Sequence, residues 1–204
     1  MSLIDKIVVP RLRRYWMRRT LRRVHYADRP DRLDLIYRVE DPWHMSSAKE
    51  QARFDWINQL IERELGPLDS ILEIGCGEGH QSQYLSRLCS RLYGIDVSAR
   101  AVSRAQRRCP EAKFVSGDPF TFSLDDMTMP VDLVVACEMI YYVKDVPSLI
   151  ARLSELGQAC LVTYYQGQAP ALGSYFAELA DCRREYFRFG DVEWNAIWWR
   201  NSSR

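Results

Sequence analysis

The chain has no Cys-x-x-Cys pair, only three histidines, and no apolar run of transmembrane length. Each absence excludes something. Its six cysteines (Cys76, Cys89, Cys109, Cys137, Cys160 and Cys182) are scattered singly, the usage of a reduced, cytoplasmic protein and not of a disulfide framework or a zinc site. No metal is expected. The missing apolar run argues against a membrane-spanning helix. A formal net charge of +1 gives no overall pull toward nucleic acid. A secretory leader is not expected either, because Arg11 to Arg23 interrupts any early apolar stretch and no small-residue cleavage site follows.

The charge present is uneven. Residues 1 to 40 carry eleven Lys and Arg against five Asp and Glu, a net of +6, and the rest balances to −5. Seven arginines between Arg11 and Arg23 interleave with Leu12, Tyr15, Trp16, Met17, Leu21 and Val24. This reads as a basic, partly amphipathic helical extension over residues 1–40, outside a main domain at 41–204. Three uses stay open: a solvated flanking helix, a contact to the inner membrane face or an anionic glycan, and RNA. No specific nucleic acid is expected.

Residues 71 to 80, Ile-Leu-Glu-Ile-Gly-Cys-Gly-Glu-Gly-His, are the most informative stretch. Ile71, Leu72 and Ile74 predict a short strand buried on both faces of a parallel sheet. Gly75, Gly77 and Gly79 let the backbone turn and let a ligand approach main-chain atoms. The apolar face of Tyr84, Leu85 and Leu88 predicts a helix after the loop. A dinucleotide fingerprint needs its third glycine at position 80, which is His80. Glu73 also sits badly beside a pyrophosphate. A carboxylate there suits a positively charged or amino ligand.

Acids recur at strand ends downstream. Leu92 to Ser98 reads as a second strand ending in Asp96, an acid placed to take two ribose hydroxyls, with Val97 beside it. Ser98 N-caps a helix over 99–108, and Phe114 to Asp118 is a third strand ending in an acid. Val131 to Ala136 is a fourth strand, leading into Cys137-Glu138-Met139-Ile140-Tyr141-Tyr142. Ala159 to Tyr164 is a fifth. Runs at 182–189 and 194–200, joined by residues 190–193, predict a hairpin. Strands alternating with helices from about residue 48 predict an α/β, Rossmann-like, doubly wound sheet of seven strands, mostly parallel with an antiparallel C-terminal hairpin. No room remains for an inserted substrate domain.

The E-x-G-x-G-x-G pattern resembles motif I of the class I S-adenosylmethionine (SAM) methyltransferases. More narrowly, Asp41-Pro42-Trp43, then Glu50-Gln51-Ala52-Arg53 and an aromatic, then the glycine loop, then Glu138-Met139-Ile140-Tyr141-Tyr142-Val143 are similar to the nodulation-protein-S-like methyltransferases, over about residues 40 to 165. Within that entry segment, Ser46 or Ser47 is read as a helix N-cap with Glu50 completing a capping box. Lys49 departs from relatives, which commonly have an aromatic there.

The resemblance implies SAM as cofactor, with S-adenosylhomocysteine as product. It implies binding through Trp43, Glu73, Gly75, Cys76, Gly77, Gly79, His80, Asp96, Val97 and Glu138, with Asp118 facing the adenine amino group and Pro119 and Phe120 covering the ring. Cys76 is read as a structural loop residue, not a nucleophile. Glu138, Tyr141 and Tyr142 follow the fourth strand, where ligands bind, and are the catalytic candidates. His25 and His44 are alternative bases. The implied acceptor is a small molecule or oligosaccharide, an amino-sugar nitrogen or a sugar hydroxyl. Aromatics at Tyr164 and Tyr165 suit a sugar ring; Trp194, Trp198 and Trp199 could do likewise, though sheet core explains most of their pattern. Two other classes stay open: a SAM-binding accessory protein without turnover, and an NAD-linked oxidoreductase, which His80 and Glu73 disfavour.

Overall fold

A computed structural model describes residues 29–124, 127–177, 179 and 181–201. The arginine-rich segment 11–23 and His25 lie outside the described residues. Seven strands form one sheet in the order β3-β2-β1-β4-β5-β7-β6. They are β1 (Ser70–Ile74), β2 (Arg91–Asp96), β3 (Lys113–Ser116), β4 (Val131–Cys137), β5 (Gly157–Tyr165), β6 (Arg183–Phe189) and β7 (Val192–Arg200). The first five run parallel, and β7 pairs antiparallel with both β5 and β6. The expected sheet is confirmed.

β1 is buried at every residue, as a central parallel strand with helices on both faces must be. Alternation splits its side chains between the two faces. Leu72 and Ile74 pack with Val134, Ala136 and Val162 under α5 (Val146–Leu156). Ile71 packs with Leu133, Val135 and Leu161 under α2 (Ala48–Glu64). Glu73 shares parity with Ile71, so its carboxylate enters the α2 side. The buried stripe of α2 runs Glu50, Arg53, Phe54, Ile57, Leu60 and Ile61. Each apolar member contributes roughly 1.5–3 kcal/mol on burial. The first turn of that stripe is charged, which core packing alone does not favour.

Three local expectations differ. The helix after the glycine loop, α3 (Ser82–Leu85), is a single turn, although Leu85 is buried as anticipated. Ser47 does N-cap α2, but without a side-chain hydrogen bond. The Ser46 hydroxyl instead donates to Asp41, and Glu50 pairs with Arg53 and Lys49, so no capping box forms. The hairpin loop is Gly190 and Asp191 alone, with Phe189 paired to Val192; Gly190 takes φ +57°, as a tight two-residue turn requires. Ser98 caps α4 (Ala99–Arg108) as expected, accepting the Ala101 N–H at 3.2 Å.

Ahead of the sheet, α1 (Pro30–Ile36) lies against α4. Its Asp34 accepts the Ser98 hydroxyl at 2.7 Å and pairs with Arg100. Among the described residues no helix is long and apolar enough to cross a membrane.

Candidate active site

The strand order reverses between β1 and β4, and a crevice opens there at the carboxyl ends of the strands, where open α/β sheets bind ligands. It holds a cavity of about 490 Å³, the size of a small-molecule site. Trp43, Glu73, Gly75, Cys76, Gly77, His80, Asp96, Val97, Asp118, Pro119, Phe120, Glu138, Tyr141 and Tyr142 all line it. These residues come from five separate stretches of sequence.

Gly79 does not line it. Its φ is +77°, and a Cβ there would meet Ala105 Cα at 2.9 Å, so this glycine allows α4 to pack against the loop. His44 is exposed and absent from the cavity wall.

One wall carries the strand-end acids. Asp96 is 8% exposed, and its carboxylate accepts the N–H groups of Gly77 and Ser98, both at 2.9 Å. Burial pushes it up to about 6 even so. Glu73 accepts the Ser82 hydroxyl and is pushed up to about 7, again by burial. Each carboxylate keeps free lone pairs, and a raised value marks a carboxylate short of compensating donors. These groups fit a ligand that brings hydroxyls and an ammonium. Asp118 accepts the Phe120 N–H at 2.8 Å, a short-range turn that sets the ring of Phe120 at the wall.

The catalytic candidates follow β4, the strand next to β1. Glu138 adopts φ +56°, rare for a side-chain-bearing residue and often found where function holds a strained backbone. Its carboxylate accepts the hydroxyls of Tyr141 at 2.8 Å and Thr163 at 3.1 Å. Burial raises its pKa and the Arg53 guanidinium opposes the rise. Tyr142 is raised by burial and then by Glu138. Its ring lies 5.9 Å from Trp43, whose indole N–H donates to Tyr37 Oη at 3.2 Å.

Arg53 is the feature that sequence reading passed over. It is 1% exposed, donates to Glu50 at 2.8 Å and Gln81 at 3.2 Å, and lines the cavity. A charged pair at i, i+3 on the apolar stripe of α2 was the available signal. Tyr37 had none; its hydroxyl stands 3.0 Å from where a Gly77 Cβ would be. Lys49 sits at the cavity edge, 2.8 Å from Glu50 and 5.3 Å over the Trp194 ring. Tyr165 and Trp194 reach the cavity. Tyr164, Trp198 and Trp199 are sheet core.

The sheet order, the glycine loop after β1 and the acid ending β2 define the class I SAM-dependent methyltransferase fold. Solved structures share it. The N-methyltransferase NodS of Bradyrhizobium japonicum, in complex with S-adenosyl-L-homocysteine, superposes with a TM-score of 0.70 at 21% identity, over 86% of this chain and 100% of that one. Magnesium protoporphyrin IX methyltransferase of Synechocystis with bound SAM gives a TM-score of 0.56 at 18% identity, over 74% and 79%. The chain belongs to the nodulation protein S (NodS) family, whose model matches residues 27–164. Nodulation protein S of Bradyrhizobium diazoefficiens is 33% identical over 119 residues, 58% of this chain and 56% of the relative. That of Sinorhizobium fredii is 34% identical over 122 residues, 58% and 55%. The matched region thus spans about half the length of these curated relatives.

Proposed function

We propose that this protein is a SAM-dependent methyltransferase acting on a small-molecule or glycan acceptor, with an amino-sugar nitrogen as the preferred class. The observation that carries it is the convergence of Asp96, Glu73, the glycine loop and Glu138 on one cavity. Family membership supports it, and NodS of Bradyrhizobium japonicum is an N-methyltransferase.

When bound, SAM supplies an electrophilic methyl group on a positively charged sulfur. The chain's residues bind, align and exclude water. Asp96 takes the ribose hydroxyls, Glu73 the amino end, and Asp118 with Phe120 the adenine. Arg53, a buried cation in the wall, suits the amino-acid carboxylate.

An amine must be neutral to attack. Tyr142, held protonated by burial, is a hydrogen-bond partner and not a base. Glu138 is the carboxylate placed to take the proton, and its raised pKa brings it nearer an amine's working range. Tyr141 and Thr163 fix its orientation. This network favours turnover over a purely accessory SAM-binding role.

Transfer of labelled methyl from SAM to a chito-oligosaccharide, mono-deacetylated against fully acetylated, tests the reading. Label on the deacetylated sugar alone is expected. Label on both sugars would replace nitrogen by a hydroxyl acceptor, and label on neither would remove the sugar assignment.

A further inference from the structure

Asp41, Glu78 and His80 meet where the segment preceding α2 touches the glycine loop. One ligand-capable atom from each lies within 4.8 Å of the others. His80 is 9% exposed and Glu78 5%. His80 Nε2 stands 3.6 Å from Glu78 Oε2 and 3.9 Å from Asp41 Oδ1, beyond hydrogen-bond length. This buried nitrogen has no hydrogen-bond partner among the described residues. An imidazole nitrogen so placed, aimed at two carboxylate oxygens, is an unusual thing to leave unsatisfied.

The two distances measured from His80 fit a shared ion. Two ligand atoms each about 2.1 Å from one ion are about 3.4 Å apart at a tetrahedral angle and at most about 4.2 Å apart. Both distances from His80 fall in that interval.

The surroundings orient the oxygens. Glu78 Oε1 pairs with Arg104, and its Oε2 accepts the Asp41 N–H at 2.8 Å. Asp41 Oδ1 accepts the Met45 N–H at 2.6 Å, and its Oδ2 accepts the N–H and hydroxyl of Ser46. Glu78 Oε2 accepts one bond and has a second lone pair, and such outer contacts are how proteins fix metal-binding carboxylates. Arg104 offsets one of the two negative charges. Arg108 reaches the Glu78 backbone carbonyl at 2.9 Å.

The backbone is bent to make the cluster. Asp41 takes φ +44°, and Gly77 and Gly79, on either side of Glu78, take +54° and +77°. A left-handed aspartate costs conformational energy that something must offset.

We propose that Asp41, Glu78 and His80 form a binding site for a divalent transition ion, zinc by its donor set of one imidazole nitrogen and two carboxylate oxygens. The ion joins the entry segment to the glycine loop and so fastens one side of the cavity. The residues lie 37 positions or more apart from Asp41 in sequence, so no ligand spacing announces them. Ion binding at this cluster requires neither methyl transfer nor bound SAM.

The full chain, stripped with a chelator, is titrated with Zn²⁺ by equilibrium dialysis and with Co²⁺ by absorption. One ion per chain is expected, with visible Co²⁺ bands of nitrogen and oxygen ligation and no near-ultraviolet thiolate band. His80→Gln and Asp41→Asn, each with wild-type circular dichroism, are expected to weaken binding about ten-fold or more. No ion retained by the wild type would overturn the site, leaving a histidine–carboxylate contact. So would undiminished binding in both variants, or a thiolate band, which would move the ion to the cysteines.

Discussion

The carboxylate of Asp96 accepts the backbone N–H of Gly77 at 2.9 Å, so the acid ending β2 is tied directly to the glycine loop that follows β1. Loop and acid therefore present one surface. The cofactor assignment predicts that Asp96→Ala weakens S-adenosylhomocysteine binding about 10- to 100-fold, the loss of charge-assisted hydrogen bonds worth about 1.5–3 kcal/mol. Calorimetric titration measures it. Unchanged affinity would refute the ribose role.

Glu138 and Arg53 make a coupled prediction. Glu138→Gln is expected to abolish most turnover while leaving S-adenosylhomocysteine binding within a few-fold. Because Arg53 holds the Glu138 pKa down against burial, Arg53→Gln is expected to move the acid limb of the kcat profile to higher pH. A limb that stays in place in Arg53→Gln would detach Glu138 from proton removal. Arg53→Gln also strands buried carboxylates, at a cost of about 3–5 kcal/mol in stability.

Glu73 and Asp96 predict how stability varies with pH. Their folded values, about 7 and about 6, lie above the ordinary 4.5 and 3.8. Between those limits the unfolded chain gives up protons that the folded chain keeps. These two groups therefore contribute stability that is present at about pH 4 and lost as pH rises through 6 and 7. Thermal melts across that window are expected to show a smaller decline in Glu73→Gln than in the wild type. Equal slopes would mean that Glu73 is solvated or otherwise compensated.

Gly79→Ala separates packing from ligand contact. The new methyl meets Ala105 Cα at 2.9 Å with φ at +77°, a combination expected to cost about 1–3 kcal/mol. The urea midpoint is expected to fall while S-adenosylhomocysteine affinity of the folded fraction holds. Loss of affinity without loss of stability would return Gly79 to the binding surface.

How much was legible depended on what each residue touches. The glycine loop, Asp96, Asp118 and Glu138 follow strands whose apolar runs and spacing are local, so their place at the carboxyl end of the sheet could be read. Arg53 could not, since a buried guanidinium needs Glu50 on its own helix, Gln81 from the loop and the field of Glu138 together. The capping box failed for a similar reason: Asp41, bent to φ +44°, takes the Ser46 hydroxyl first. Tyr37 and the Asp41–Glu78–His80 cluster arise from long-range approach of the entry segment, which carries no periodic signal.

The most direct test of the account is calorimetric titration of the wild-type chain with S-adenosylhomocysteine and, separately, with NAD. One S-adenosylhomocysteine site per chain and no detectable heat from NAD is the predicted result. Binding of NAD in its place would contradict the assignment of Glu73 and the glycine loop to SAM.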